Sequence, residues 1–321
     1  MQNITPLRHE IESVRSVLGA QLPWSPVSFI RVVSLAADRE AFAELLTQQL
    51  DEANDLRFIG SLPSGDAVAL FARRLAWDSE FFGYGVARLD GVFPLSAPFY
   101  RPDAEYVGPV AKFLDEARRR DIRYVFAPVE SRDLALMRAL GQLGFSLIET
   151  RCYYHMDISS YDYPERFPVR AAEPADIPSL GRAARDIVNP FDRFHSDPFI
   201  SKVDADRLMV RWIEASINEG FADVTIVPDV SEPTAFCTVK YHRDCWNRWG
   251  LKLSQPVFSA VSPEFKGWYR KLISEINYHL RDVGAEHSYL ATQITNISVT
   301  WVWESLGYRL GKGEHIFRLV L

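Results

Sequence analysis

Cysteine is scarce in this chain of 321 residues. Cys152, Cys237 and Cys245 are an odd set with no CxxC pair among them. That argues against a disulfide framework and predicts reduced thiols packed in a core, with no metal expected. Long apolar runs are also missing, and nothing approaches the ~20 residues that cross a bilayer. Arg8, His9, Glu10 and Glu12 stand where a secretion signal would be apolar. No Lys/Arg-rich run exists and the formal net charge is −6, so the electrostatic footprint of a nucleic-acid binder is absent. These absences predict a cytoplasmic protein that uses neither nucleic acid nor membrane as a partner. The remaining composition, 47% hydrophobic and 24% charged, is that of a globular chain. At roughly 100–200 residues per domain its length predicts two domains.

Periodicity gives a first ordering of elements. Ile11, Val14, Val17 and Leu18 share one helical face. Residues 29–35 read as a strand and 39–53 as a helix. Residues 66–75 and 85–89 read as strands flanking a loop over 77–83. A helix over 103–120, a strand over 122–128, a helix over 131–143 stopped by Gly144, and a strand over 145–156 follow. The stretch Ser159-Ser160-Tyr161-Asp162-Tyr163-Pro164-Glu165 is polar and broken by proline, which places the domain boundary at 160, between domains 1–160 and 161–321.

The second half reads as a strand over 167–171, helices from 174 and over 204–219, and strands over 221–228, 234–241 and 255–262. A helix over 267–283, a strand over 287–293 and a helix over 296–306 come next. Two short strands, 308–310 and 315–321, are expected to close a hairpin over Gly311-Lys312-Gly313.

An offset of 163 positions carries Val125 onto Ser288, Asp133 onto Asn296, Leu136 onto Val299, Leu143 onto Leu306, Gly144 onto Gly307 and Phe145 onto Tyr308. Either two ordinary βαβ pieces coincide, or the chain holds two related half-folds. The second is the better fit, with the first half structural because it lacks a glycine-bearing helix start.

The chemistry-bearing stretch is Val257-Phe258-Ser259-Ala260-Val261-Ser262-Pro263-Glu264-Phe265-Lys266-Gly267-Trp268-Tyr269-Arg270. A strand runs through a tight loop directly into a helix. A helix start exposes unpaired N–H groups and the positive end of the dipole, which suits a pyrophosphate. Gly267 allows close backbone approach, and Lys266 and Arg270 add positive charge. Such junctions are common for purely structural reasons. Asn296, after Ala291-Thr292-Gln293, opens the next helix and is equally well explained as an N-cap.

Together these pieces resemble the GNAT acyltransferase superfamily. In that family an Arg/Gln-x-x-Gly-x-Gly/Ala loop and an Asn-x-x-Ala-x-x-x-Tyr-x-x-x-Gly-Phe helix form the coenzyme A site. The resemblance sharpens toward the TDP-fucosamine acetyltransferases, which acylate the amine of a TDP-linked 4-amino-4,6-dideoxygalactose. The matching stretches are Leu75-Ala76-Trp77-Asp78-Ser79-Glu80-Phe81-Phe82-Gly83, Leu143-Gly144-Phe145-Ser146-Leu147, Ala175-Asp176-Ile177-Pro178-Ser179-Leu180, Arg193-Phe194-His195, Arg211-Trp212-Ile213-Glu214 and Ala291-Thr292-Gln293; residues 1–70 are unmatched.

The resemblance implies an α/β fold with a mixed central sheet, a partial GNAT-like N-terminal domain and a C-terminal acyl-coenzyme A domain. It implies that Phe258, Ala260 and Val261 pair with the pantetheine arm and that Lys266, Gly267, Trp268 and Arg270 hold the phosphates. Asn296 would contact the same cofactor, acetyl-CoA or another acyl-CoA. An oxyanion donor is expected in a backbone N–H near Val261.

The chain departs from the family pattern where an acid is needed. Trp303 stands at the position of the tyrosine, Glu264 at the first Arg/Gln, and Tyr269 at the last small residue. An indole N–H donates a hydrogen bond but is no acid for a thiolate. Tyr269 either fills a packing gap or offers its phenol to the site. The enzyme then uses another acid, relies on water, or has lost turnover and kept binding. On the acceptor side, Asp192, Arg193 and Phe194 are expected to hold a sugar nucleotide, and His195 or Asp192 to act as base; a solvated loop is the other reading. Trp77 to Gly83 either braces the two domains or serves aromatic packing, which is the better reading. Cys245, Trp246 and Trp249 line a pocket or form a dimer patch, which leaves a homodimer open. The expected activity is transfer of an acetyl group to the amine of a nucleotide-linked aminodeoxysugar or similar small amine. The alternative is a GNAT-fold protein that binds coenzyme A or a nucleotide sugar without turnover.

Overall fold

The computed structural model describes residues 4–321. The chain divides into two compact units: the residues up to Thr150 together with Gly313–Leu321, and Arg151–Lys312.

The first unit contains β1 (Thr5–Pro6), α1 (Ile11–Gln21), α2 (Leu35–Thr47), β2 (Phe58–Ser61), β3 (Ala67–Arg74), α3 (Ala76–Phe82), β4 (Gly85–Pro94), α4 (Asp103–Arg119), β5 (Ile122–Glu130) and α5 (Leu134–Gln142). β6 (Ser146–Asp157) follows. β7 (Val169–Ala171), α6 (Ile177–Asp186), α7 (Lys202–Asn218), β8 (Val224–Pro228), β9 (Ala235–Lys240), α8 (Arg243–Trp249), β10 (Leu253–Val261), α9 (Trp268–Asp282), β11 (His287–Gln293), α10 (Ile297–Ser305) and β12 (Arg309–Val320) complete the chain. The order strand, two helices, two strands, then alternating helix and strand occurs twice. The likeness between halves therefore extends well beyond residues 125–145.

Within each unit the strands follow a mixed order. In the first the order is β1-β2-β3-β4-β5-β12, antiparallel except for β4 beside β5. In the second it is β6-β11-β10-β9-β8-β7, antiparallel except for β10 beside β11. Residues 151–157 of β6 pair with β11, and residues 314–320 of β12 pair with β5. One long strand replaces the expected C-terminal hairpin. Neither Gly311 nor Gly313 takes a positive φ, so no tight turn forms, and seven consecutive residues find partners on β5.

The helices bury one stripe each. On α4, Tyr106, Val110, Phe113, Leu114 and Ala117 recur at helical spacing and enter the first core; on α9, Leu272, Ile273, Ile276 and Leu280 enter the second. Three local readings change. Residues 29–35 form turns and the start of α2, because Ser25 Oγ bonds Asp38 Oδ1 at 2.5 Å and also accepts from Val27 N, winding the chain back on itself. Residues 77–83 form a helix with its C-cap rather than a loop. Trp77 and Phe81 stack at 6.1 Å one turn apart, and Gly83 closes the turn at φ 72. The polar stretch 159–165 is docked within the second unit. Tyr161 is buried, its hydroxyl donates to Ser274 Oγ at 2.9 Å, and Tyr163 N donates to Tyr278 Oη at 2.6 Å. The division between units falls ten residues before the expected boundary.

Candidate active site

In the second unit β10 and β11 start as a parallel pair and then part. Their register holds for two residues only, Leu253↔His287 and Ser254↔Ser288, although the strands run on to Val261 and Gln293. The result is a wedge with the backbone of Ala260 and Val261 beside it, while Phe258 N turns toward β9 and donates to Thr238 Oγ1 at 3.1 Å. β10 also slips register against β9 between Pro256 and Ser259. A β-bulge of this kind turns a backbone locally and is common beside active sites.

The C-terminal end of β10 leads through a short 3-10 turn (Pro263–Phe265) to Gly267, which sits at φ 89 and ψ −12 as the N-cap of α9. No side chain caps this helix, so its first N–H groups remain available. A Cβ at Gly267 would meet nothing within 4 Å; glycine is needed here for its backbone angle, not for space. Lys266 and Glu264 are exposed. Arg270 lies over the exposed Trp301 ring at 5.1 Å, and Lys271 lies between the rings of Trp268 and Phe167 at 4.8 and 5.1 Å.

The repeat shows how this helix mouth is specialised. At the same offset of 163, Asp121 and Gly284 are both left-handed, φ 55 and 93, as are Gly144 and Gly307, φ 84 and 100. Phe145 N bonds Leu140 O as Tyr308 N bonds Trp303 O, both at 3.0 Å. The helix starts, however, carry opposite charge: Asp103 and Glu105 on α4, against Lys266, Arg270 and Lys271 at α9. The positive end of α9 thus favours an anion and the mouth of α4 disfavours one.

Asp133 and Asn296 occupy equivalent N-cap positions with nearly identical backbones, φ −89, ψ 65 and φ −86, ψ 63. Asp133 caps its helix, accepting from Leu136 N at 3.1 Å. Asn296 does not cap. Its Nδ2 donates to Thr292 Oγ1 at 3.1 Å, at the end of β11. Capping is therefore not the reason for an asparagine here.

Trp303 is buried, and its indole Nε1 donates to the hydroxyl oxygen of Tyr269 at 2.8 Å. Burial pushes the phenol far above the ordinary tyrosine range and the neighbouring Cys237 pushes it further, while hydrogen bonds from Trp303 and with Ser259 oppose the shift. Ser259 lies on β10 at the edge of the register slip. The structure thus brings Trp303 and Tyr269 together beside the wedge, with the phenol protonated.

The α6–α7 loop reaches the far end of β11, where Asn189 Nδ2 donates to Gln293 Oε1 at 2.7 Å. His195, the candidate base, is held between two carboxylates. Its Nδ1 lies 2.7 Å from Asp192 Oδ2 and its Nε2 lies 3.2 Å from Asp206 Oδ1, so neither ring nitrogen offers a lone pair to an amine. Burial works against the charged ring, but the two carboxylates outweigh it and raise the pKa above the usual histidine value. Asp192 is also spent: Oδ1 accepts from Phe194 N and His195 N. These residues fix the loop. Phe194 is buried, and Arg193 lies over its ring at 4.2 Å. Trp246 and Trp249 anchor α8. Trp246 Nε1 donates to the Tyr241 and Leu253 carbonyls at 2.8 and 2.9 Å, and Trp249 is buried.

Sequence reasoning missed a cluster at the apex of the wedge, His242, Gln255 and Tyr289. Tyr289 Oη donates to Gln255 Oε1 at 2.5 Å, and His242 Nε2 lies 3.1 Å from the same oxygen. They come from three elements and form no motif; only the left-handed backbone of His242, φ 53, marks the place, and that is not visible in sequence.

Among the described residues no helix is long and apolar enough to cross a membrane. No family model and no curated protein matches the chain. Its likenesses are to solved structures. A GCN5-related N-acetyltransferase from Sphaerobacter thermophilus aligns over 100% of this chain and 95% of its own, with 11% identity and a TM-score of 0.59. A tandem GNAT protein from the clavulanic acid biosynthesis pathway aligns over 100% and 98%, with 13% identity and a TM-score of 0.56. A glucosamine N-acetyltransferase region of a fungal multi-domain β-N-acetylglucosaminidase aligns over 99% of this chain and 38% of that one, with 11% identity and a TM-score of 0.61. The order of elements occurs twice in the chain, and with these alignments its fold is that of the GCN5-related N-acetyltransferases.

Proposed function

We propose that the second unit is an N-acyltransferase that moves an acetyl group from acetyl-CoA to the amine of a nucleotide-linked aminodeoxysugar or a similar small amine. The observation that carries this reading is the wedge between β10 and β11 opening toward an uncapped, positively charged helix start. In this reading Lys266, Gly267 and Arg270 take the phosphates of the cofactor and the strand edge at Ala260 and Val261 takes its pantetheine arm, supported by the uncapped start of α9 and by Asn296 beside Thr292 at the end of β11.

When bound, acetyl-CoA supplies a thioester whose acyl carbon joins the amine nitrogen as its carbon–sulfur bond breaks, leaving the amide and the free thiol. Tyr269 holds a proton at its hydroxyl, where Trp303 fixes the oxygen by donation. Tyr269 thereby replaces the acid that Trp303 does not supply. The amine sheds its proton to solvent, since His195 and Asp192 are occupied. The glucosamine-acetylating neighbour supports an aminosugar acceptor, and the first unit, with acids at its helix mouth, has the structural role.

Calorimetric titration with acetyl-CoA, followed by thiol release with D-glucosamine, TDP-linked aminodeoxyhexoses and simple amines, tests the proposal. Binding with turnover is expected; binding without turnover on any amine would reduce the protein to a binding module, and no binding at all sinks both readings.

A further inference from the structure

The apex cluster lies on a defined side of the second sheet. On β11, Ser288 bonds Tyr308 Oη and Leu290 packs with Trp303 and Ile276, so Tyr289 faces the opposite side. Gln255 is the first residue beyond the last β10–β11 pair and lies one residue before the register slip against β9.

Gln255 Oε1 receives the Tyr289 hydroxyl at 2.5 Å and faces His242 Nε2 at 3.1 Å, and that nitrogen is 3.2 Å from the tyrosine oxygen. A 2.5 Å contact with the Tyr289 hydroxyl suits an amide oxygen, which leaves the amide nitrogen turned away, and the neutral ring donates to that oxygen in the tautomer with its proton on Nε2. Among the described residues nothing bonds Gln255 Nε2. Two donors on Oε1 polarise the amide and strengthen its own N–H groups as donors. His242, at φ 53 and ψ 39, holds a conformation that strains a non-glycine residue, and such strain gathers at functional sites. Burial lowers its pKa, so the ring stays neutral.

We infer that Gln255 Nε2 donates to the carbonyl oxygen of the bound acyl thioester, a side-chain oxyanion donor at the wedge apex, with His242 and Tyr289 as its positioning residues. The inference rests on the acyl-coenzyme A reading of this unit. A locked donor is suited to the oxygen on which charge develops during acyl transfer, because it needs no reorganisation at that moment.

The test compares, by calorimetry on the full chain, the affinity for acetyl-CoA with that for S-ethyl-coenzyme A, a thioether without the carbonyl. The wild type is expected to favour acetyl-CoA about tenfold, the effect of one hydrogen bond of roughly 1.4 kcal/mol. Gln255→Leu should erase that preference and leave S-ethyl-coenzyme A binding unchanged. His242→Gly relieves the backbone strain, so it should keep or raise Tm while narrowing the same preference. Equal affinities in the wild type, a preference that survives Gln255→Leu, or equal loss of both ligands would overturn the inference. If the wild type binds neither ligand, the acyl-coenzyme A reading itself falls, a result distinct from binding without discrimination.

Discussion

The indole N–H of Trp303 points at the hydroxyl oxygen of Tyr269, 2.8 Å away, across 34 residues of sequence. The first unit has a tyrosine at the equivalent place, Tyr106, whose hydroxyl lies 3.4 Å from the Phe99 carbonyl and which is almost fully buried. Its counterpart of Trp303 is Leu140, which carries no donor. The same scaffold position serves packing in one half and holds a fixed phenol in the other.

Removing that phenol should slow acyl transfer far more than it weakens binding. Tyr269→Phe is expected to lower kcat by about 10²–10⁴, the usual contribution of a positioned acid, with the acetyl-CoA affinity within about threefold of wild type. Trp303→Phe, which removes only the indole donor, should lower kcat by a smaller factor. Because the phenol is held well above the ordinary tyrosine range, kcat should show no loss from its ionisation up to about pH 10. Steady-state pH profiles of the wild type and of Trp303→Phe, with Tyr269→Phe as the reference lacking the phenol, check this.

Charge at the two helix mouths gives a paired experiment. Lys266→Glu and Arg270→Glu should each weaken acetyl-CoA binding by about tenfold at low salt and flatten its salt dependence. Asp103→Asn, at the corresponding mouth of the first unit, should leave that affinity unchanged. Titrations at two ionic strengths separate these outcomes; a Kd that moves with Asp103 and ignores Lys266 would place the cofactor in the other half.

Glu275 is buried on α9, and Arg166 grips both its carboxylate oxygens, at 2.8 Å for the shortest bond, while Phe167 N donates at 2.7 Å. Arg166→Ala leaves the carboxylate buried with one backbone donor and should destabilise the protein by about 1–3 kcal/mol in urea unfolding. Arg182→Ala breaks a pair with Glu232 in which both partners are exposed, and should cost about 0–1 kcal/mol.

Acid should loosen the fold near neutrality. Burial lowers the pKa values of His155, His242, His279 and His287, so below about pH 6.5 the unfolded chain takes up protons that the native chain refuses. Their contribution is complete above that pH and declines as the pH falls through it toward their native values. His195 is raised and acts in the opposite sense: its stabilisation is present below about pH 6.5 and is lost as pH rises through its native value. Asp133, which burial pushes up to about 6, acts in the same sense as His195, so four groups against two predict a Tm that falls on acidification below about pH 6.5. His287→Gln, at a buried ring whose Nδ1 has no partner, should flatten that fall in a thermal melt series.

What the sequence determined by itself was local and periodic. Helical stripes on α4 and α9, the left-handed stop at Gly144, the helix start at Gly267 and the 163-residue echo all rest on side-chain size, backbone freedom and spacing along one segment. What only the tertiary structure decided was pairing between distant segments. No local signal tells β12 to run straight through Gly311 and Gly313 onto β5, or β10 and β11 to part after Ser254, because strand partners are chosen by the sheet as a whole. The roles of His195, Asn296 and Tyr269 turned on which atoms lay within about 3 Å of their polar groups, a length over which hydrogen bonding decides protonation and direction. The cluster of His242, Gln255 and Tyr289 was illegible for the same reason: its members meet only when the sheet forms.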